Sequence, residues 1–361
     1  RLLCRPRKGL SALERVERLL RWFGMEGETD GRLRVVEGEL DRPGFGLSDG
    51  DYRCLVEEVD EVFHCAADTS FSPRERERIE ATNIGGVRHL LAFAIGGKCA
   101  FFHHMSTAYV AGERAGECRE EILAPNRFHN AYEETKCRAE GLVRDCCIQG
   151  GIPWNIYRPS VVYGDSATGK SIRFNGLYYP IKTILFLKKI FERDILEKGG
   201  TRARQMGVRL DNGCLFMDIR VEKRKEGRIN LIPIDFLVEA CMAIMEESTG
   251  GGIFHIVSRN PCRLDDLIRY TRDLFHIRGI RAACGDAFAG APRSALEILF
   301  DGYLDTYHPY LLDTRIFSSE KADVILRKRD ISCPDLDFAV FSRIMNYALD
   351  VDWGKRVFDA A

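Results

Sequence analysis

The sequence predicts an α/β protein built on a doubly wound parallel sheet, with a smaller C-terminal lobe interleaved into it. Three observations carry that expectation. Short apolar runs alternate with helical stretches from Arg1 to Gly164, the pattern of strands and helices that stack as a covered parallel sheet. The alternation breaks from Asp165 to Arg228, where glycine, lysine and aromatic residues surround one apolar helical run. It then resumes with a strand, a helix and a strand between Ile229 and Val257.

Taken in order, Arg1 to Arg5 reads as the end of a strand and Ser11 to Phe23 as a helix. Leu33 to Val36 is a strand, and Ser48 to Val59 a helix whose first amides Ser48 is suited to cap. Glu61 to Cys65 is the next strand, followed by a long helix from Pro73 to about Ile95. Cys99 to His104 is a strand that runs directly into Ser106 and Thr107. A helix from His129 to Gln149 precedes the strand Pro153 to Tyr157, which ends at Arg158 and Pro159. Past the break, the helical run is Tyr179 to Phe191; Ile229 to Ile232 and Gly252 to Val257 are strands flanking the helix Ile234 to Met245. Helical and irregular segments alternate from Pro261 onward. The expected division is a dinucleotide-binding core of residues 1–164 and 229–260, and a lobe of residues 165–228 and 261–361.

The 361 residues suffice for a large core, and 45% hydrophobic with 30% charged residues is ordinary globular composition. A net charge of -1 supplies no field for nucleic acid. The 13 cysteines are an odd number without Cys-x-x-Cys pairing, which argues for reduced thiols and a cytoplasmic location. Neither a signal peptide nor a membrane span is legible.

Ligands of parallel sheets bind beyond the carboxyl ends of the strands. Ala66-Ala67, Ser106-Thr107 and Arg158-Pro159-Ser160 each follow a strand end and are expected to line one crevice. Tyr132 and Lys136 lie one turn apart on a helix. An ammonium beside a phenol favours phenolate, so Tyr132 is expected to titrate well below 10 and to serve as acid or base. Thr107 can offer a second hydrogen bond to the same substrate oxygen. This grouping is what nicotinamide-dependent carbonyl chemistry requires. Pro159 stops strand hydrogen bonding, so the backbone through Val162 would face a nicotinamide carboxamide, or simply form an edge turn. Ala66 and Ala67 let a cofactor ribose approach, or merely pack closely. Arg5, near Arg1, Arg7 and Lys8, either receives a 2'-phosphate or is a solvated basic terminus. Asn83 either anchors the Ser106-Thr107 strand through a main-chain carbonyl or sits on the surface. His64, His103 and His104 fall on separate strands without ligand spacing, so core histidines are expected and no metal. The Tyr179 to Phe191 run reads as a lobe helix lining a hydrophobic pocket, with an interfacial helix as the alternative.

Together these residues resemble the extended short-chain dehydrogenase/reductase superfamily, from Arg1 to about Val257. Leu3-Cys4-Arg5, Ala12 to Leu20 with Glu14-Arg15, Val35 to Leu40 and Leu47-Ser48 are most similar to its thioester reductase and fatty acyl-CoA reductase branch. Ile232-Pro233-Ile234-Asp235 and Phe254 to Val257 match later landmarks. The resemblance implies a Rossmann-like fold and an NADPH-dependent oxidoreductase of lipid metabolism or related chemistry. Its substrate would be an acyl thioester, on coenzyme A or an acyl carrier protein, reduced to aldehyde or alcohol. Thr107, Tyr132 and Lys136 would be catalytic; Arg5, Ala66, Ala67, Ser106, Tyr132, Lys136, Pro159 and Val162 would hold the cofactor. The family's Gly-rich turn has no counterpart in the sequence, and its expected place is upstream of Arg1. Glu39 stands where an Asp usually contacts adenine. Two alternatives remain open: a sugar-nucleotide epimerase or dehydratase or a hydroxysteroid-type dehydrogenase, and a non-catalytic nucleotide-binding scaffold.

Overall fold

Helix caps written into the sequence set most element boundaries. The computed structural model describes residues 1–25, 31–124, 126–225 and 227–358. After β1 (Leu2–Cys4), helix α1 (Ala12–Trp22) opens on a reciprocal capping box between Ser11 and Glu14. β2 (Val35–Glu37) precedes α2 (Asp49–Glu58), whose Ser48 hydroxyl accepts the Asp51 amide as expected. β3 (Glu61–His64) leads to a helical rod of α3 (Arg76–Glu80), a π turn (Ala81–Gly85) and α4 (Gly86–Gly96). β4 (Phe101–Met105) is followed by α5 (Ala131–Gly150), which starts at the Asn130 cap and ends on left-handed Gly151. β5 (Trp154–Pro159) and the short β6 (Val161–Tyr163) complete this half, with Pro159 closing β5.

Strands β3, β4 and β5 run parallel, and β5 continues to β10 (Gly252–Ile256) in a four-stranded sheet. β1 and β2 pair in parallel as a separate ladder. One face of the main sheet carries α4 and α5, whose Val87, Leu91, Ala139 and Val143 pack on Phe102 and Ile156. The other carries α7 (Ile234–Glu247), which packs with Tyr157, Phe254, Ala322 and Leu326. Leu326 lies on α10 (Glu320–Lys328), so part of the C-terminal stretch covers the nucleotide half. β9 (Leu231–Pro233) pairs in parallel with β6, close to the crevice.

The interrupted region departs from its sequence reading. α6 (Tyr178–Glu197) is the expected helix, but a strand not anticipated there, β8 (Cys214–Lys223), is the lobe's longest. It pairs antiparallel with β7 (Arg209–Asp211) and parallel with β11 (Ile277–Cys284). β8 buries Leu215, Met217, Ile219 and Val221 on one side, a period of two that lysines and arginines around it obscure. Beside it stand α8 (Leu264–Phe275), α9 (Ala295–Leu304) and α11 (Phe338–Asp350). Among the described residues no helix is long and apolar enough to cross a membrane. All thirteen cysteines are free thiols.

Candidate active site

Two of the three expected strand ends meet, Ser106-Thr107 and Arg158-Pro159-Ser160, whereas Ala66 and Ala67 do not line the cavity that Thr107 and Ser160 share. β4 ends at Met105, Ser106 is buried behind it, and Thr107 caps a short 3-10 turn of residues 108–111. Gly112 ends that turn at φ +58°, and a side chain there would meet the Arg127 carbonyl at 2.2 Å. The Thr107 hydroxyl accepts the Tyr109 amide at 3.3 Å and donates to the Pro159 carbonyl at 3.4 Å. That places the first turn of the site against the end of β5.

Tyr132 and Lys136 project from the first two turns of α5. Lys136 is buried, and its ammonium donates to the Met105 carbonyl. Burial lowers its pKa to about 8, opposed by the Glu140 carboxylate one turn further on. Tyr132 moves the other way: burial pushes its phenol up to about 12, and a hydrogen bond with Thr107 only partly offsets this. The expectation of a phenol acidified by Lys136 is therefore corrected. The amine is held at a main-chain carbonyl, so desolvation decides the phenol's state, and Tyr132 is a neutral hydroxyl at neutral pH.

Behind these groups lies a buried ionic cluster that the sequence reading missed. Glu140 receives Arg158 through two hydrogen bonds, 2.9 and 2.6 Å, and accepts the Ser106 hydroxyl at 2.5 Å. Arg158, fully buried, also donates to the carbonyls of Arg119 and Glu121. A fork this well satisfied is rigid, and removing one partner leaves a buried charge unmet. Its signal was available: Glu140 follows Lys136 by four residues on one helix face.

Asn83 is buried, but it does not hold the Ser106-Thr107 strand. Its side chain bonds the Asp68 amide at 2.8 Å, the Asp68 carbonyl at 3.0 Å and the Thr135 hydroxyl at 3.1 Å. It thus ties the turn after Ala66 and Ala67 to the Tyr132 helix, from a π turn that re-aims its side chain. His103 is bonded to the Tyr157 hydroxyl and Glu61, whereas His64 and His104 stack at 5.3 Å with unpartnered ring nitrogens. Burial, with the nearby charge of Lys136, lowers the His64 pKa to about 3. Among the described residues no group of three or more His, Cys, Asp or Glu is placed to hold a metal. Arg5 is exposed at the end of β1, Ala66 is exposed and Ala67 half-buried, while Pro159 is buried and Val162 half-buried. Glu39 pairs with Arg42 at 3.2 Å.

Thr107, Tyr132, Ser160 and Val162 open onto a cavity of about 280 Å³ that extends into the second lobe. Phe71, Tyr307 and Tyr310 line it beside Tyr132; the Phe71 ring lies 6.0 Å from Tyr132, 5.6 Å from Tyr307 and 5.4 Å from Tyr310. Tyr310 donates to the buried Glu133 carboxylate at 2.6 Å and accepts from Asn130, the cap of α5, at 2.7 Å. Desolvation raises the Glu133 pKa. A residue nearly 180 positions away thus clamps the start of the Tyr132 helix, and no local pattern announces it.

The parallel sheet with helices on both faces is a Rossmann-like fold. Residues 1–241 match the model of the male sterility protein family, and the chain belongs to that family. Over 356 residues, 93% of the chain, it is 25% identical to a linear gramicidin synthase polypeptide of Brevibacillus parabrevis; it spans only 6% of that protein's length. Among solved structures, the terminal R domain of the myxalamid PKS-NRPS pathway superposes with a TM-score of 0.71 at 22% identity, covering 98% of this chain and 85% of that one. The reductase (R) domain of a nonribosomal peptide synthetase from Mycobacterium tuberculosis gives 0.66 at 18% identity, with 98% and 85% coverage. UDP-glucuronic acid 4-epimerase from Bacillus cereus, in complex with NAD, gives 0.59 at 16% identity, with 93% and 85% coverage. These structural likenesses are of fold.

Proposed function

We propose that this protein reduces a carrier-bound or coenzyme A acyl thioester to an aldehyde or alcohol, drawing on NADPH. The observation that carries the reading is a neutral Tyr132 phenol beside the Thr107 hydroxyl at the mouth of a large apolar cavity. Reduction of a carbonyl needs a protonated donor at the oxygen, and a phenol held near 12 stays protonated at neutral pH. Tyr132 would donate to that oxygen, and Thr107 would turn its proton there from the long 3.4 Å bond to the Pro159 carbonyl, stabilising the charge that develops on it.

Two features support the fit to a nicotinamide ribose. Lys136 spends one bond on Met105 and keeps donors for the sugar hydroxyls. The buried Ser160 hydroxyl, next to Pro159, lines the cavity without a protein partner and suits a carboxamide. Arg5, exposed after β1 with Arg7 and Lys8, supports a 2'-phosphate and hence NADPH over NADH. Ala66, Ala67 and Ser106 would lie along the dinucleotide. Bound there, the reduced cofactor would supply the hydride. Every other task falls to Thr107, Tyr132 and Lys136. The apolar cavity walls disfavour a nucleotide sugar, whose hydroxyls and phosphates need polar partners.

Cofactor oxidation with an acyl-coenzyme A and with a nucleotide sugar, each under NADPH and NADH, tests the reading. Consumption of NADPH with the thioester alone is expected. Turnover of the nucleotide sugar, or equal use of NADH, would overturn it.

A further inference from the structure

We propose that Tyr310, together with Arg315, is a positioning residue that sets the spacing of Thr107 and Tyr132. This rests on the reductase reading, in which both hydroxyls serve one substrate oxygen. Thr107 opens the turn of residues 108–111, whereas Tyr132 stands in the first turn of α5. The chain between them carries the short strand Glu117–Cys118, which pairs in parallel with Ile316–Phe317. The segment just before that partner strand, residues 307–315, touches both sides of the pair.

On the helix side, the Tyr310 hydroxyl sits between two residues that flank Tyr132 in sequence. It accepts the Asn130 side-chain amide at 2.7 Å, while the Asn130 oxygen takes the Glu133 amide at 3.0 Å. It donates to one Glu133 oxygen at 2.6 Å, and the other takes the His129 amide at 3.0 Å. One phenol therefore orients both the cap and the first-turn carboxylate. On the turn side, the Arg315 side chain is 3% exposed and is gripped by Asp313 at 2.8 and 3.0 Å. Its guanidinium donates to the Gly112 carbonyl at 2.5 Å and lies 4.8 Å from the Tyr109 ring centre. The Tyr109 ring meets Tyr310 edge-on at 5.0 Å, which closes the path from turn to helix.

Packing alone would need only the rings, and Ala108, Tyr109, Tyr310 and Phe317 are buried together. The hydroxyl and the guanidinium exceed that need, and each bonds a cap or backbone group of an element bearing the site. Buried bonds of this kind are stiff, because breaking them leaves a polar group without water. Two hydroxyls meet one oxygen only when closely placed, and a misplacement of about 1 Å can cost about 10² in rate.

The test uses the full chain, NADPH and octanoyl-coenzyme A. Tyr310→Phe keeps the ring and loses the hydroxyl; Arg315→Lys keeps the charge and loses the planar fork. Each should lower kcat by about tenfold or more, with KM for both substrates changed by less than about twofold. Added to Tyr132→Phe, neither should lower the residual turnover by more than about twofold, since no pair remains to align. A kcat unmoved in both folded variants, or an equal loss with and without the Tyr132 hydroxyl, would overturn the proposal. Amide exchange separates it from the reductase reading. In each variant the amides of residues 133–136 and 110–112 should both exchange at least about tenfold faster. If the wild type reduces no thioester, the reductase reading falls. Coupled exchange then upholds the spacing role, and loosening on one side alone, or on neither, overturns it.

Discussion

Each half of the molecule holds a buried arginine–glutamate fork, and the two are built for different ends. In the nucleotide half, Arg158 and Glu140 meet at 2.6 Å with both side chains almost fully buried. Glu140 shares its helix with Lys136 and bonds Ser106, so this fork fixes the strand end and helix face that present Thr107, Tyr132 and Lys136. In the second lobe, Arg220 of β8 and Glu297 of α9 also meet at 2.6 Å. Glu297 is the third residue of its helix and closes a capping box with Ser294, so this fork docks a helix onto a sheet. The Arg220 hydrogen bond holds the Glu297 pKa down at about 2. Similar chemistry thus orders a site in one half and a scaffold in the other.

The sharpest way to break this comparison is to strip the site while sparing both forks. Tyr132→Phe should lower kcat by about 10²- to 10⁴-fold, with the thermal midpoint changed little; activity near wild type would remove the phenol from the chemistry. Removing either fork comes next. Glu140→Ala and Glu297→Ala should each cost about 3–5 kcal/mol in denaturant unfolding, because each strands a buried guanidinium. Measured where both variants remain folded, kcat should fall in Glu140→Ala and stay within a few-fold of wild type in Glu297→Ala. Equal losses would erase the distinction.

Protonation sharpens it further. Lys136 titrates near 8 in the folded chain against an ordinary 10.5, so the unfolded chain binds more protons between those values. Lys136 therefore contributes a stabilisation that rises from about pH 8 to about 10.5, by up to about 3 kcal/mol, against buried thiols such as Cys65 and Cys147 that act the other way; the difference in pH dependence between wild type and Lys136→Met isolates it. The Glu297 shift is also downward, but in a carboxylate it favours the charged form. Its stabilisation is present above about 4.5 and is lost as pH falls toward about 2, a loss that Glu297→Gln should abolish. The smallest effect belongs to a surface cap: Ser11→Ala should cost about 1 kcal/mol and leave turnover unaffected.

Much of the nucleotide half was legible because its cues are local. Ser48 announces a helix start, and apolar runs of five to six residues announce β3, β4 and β5. The spacing of Tyr132 and Lys136 placed both on one helix. Strand β8 was obscured because half of its residues face away from the core and read as a charged loop. Tyr310 and Phe71 carry no motif; Tyr310 reaches Asn130 and Glu133 only through the packing of the C-terminal segment, and Phe71 meets Tyr132 from the loop after β3.

By itself, then, the sequence determined the order of elements in the first half, the Ser48 cap and the placing of Tyr132 and Lys136 on one helix after the Thr107 strand end, since these follow from periodicity and short-range hydrogen bonding. Tertiary structure alone decided the protonation of Tyr132 and Lys136, the partner of Glu140 and the apolar depth of the cavity. Those depend on how far each group is removed from water and on which distant side chain removes it, and chain order does not encode either one locally.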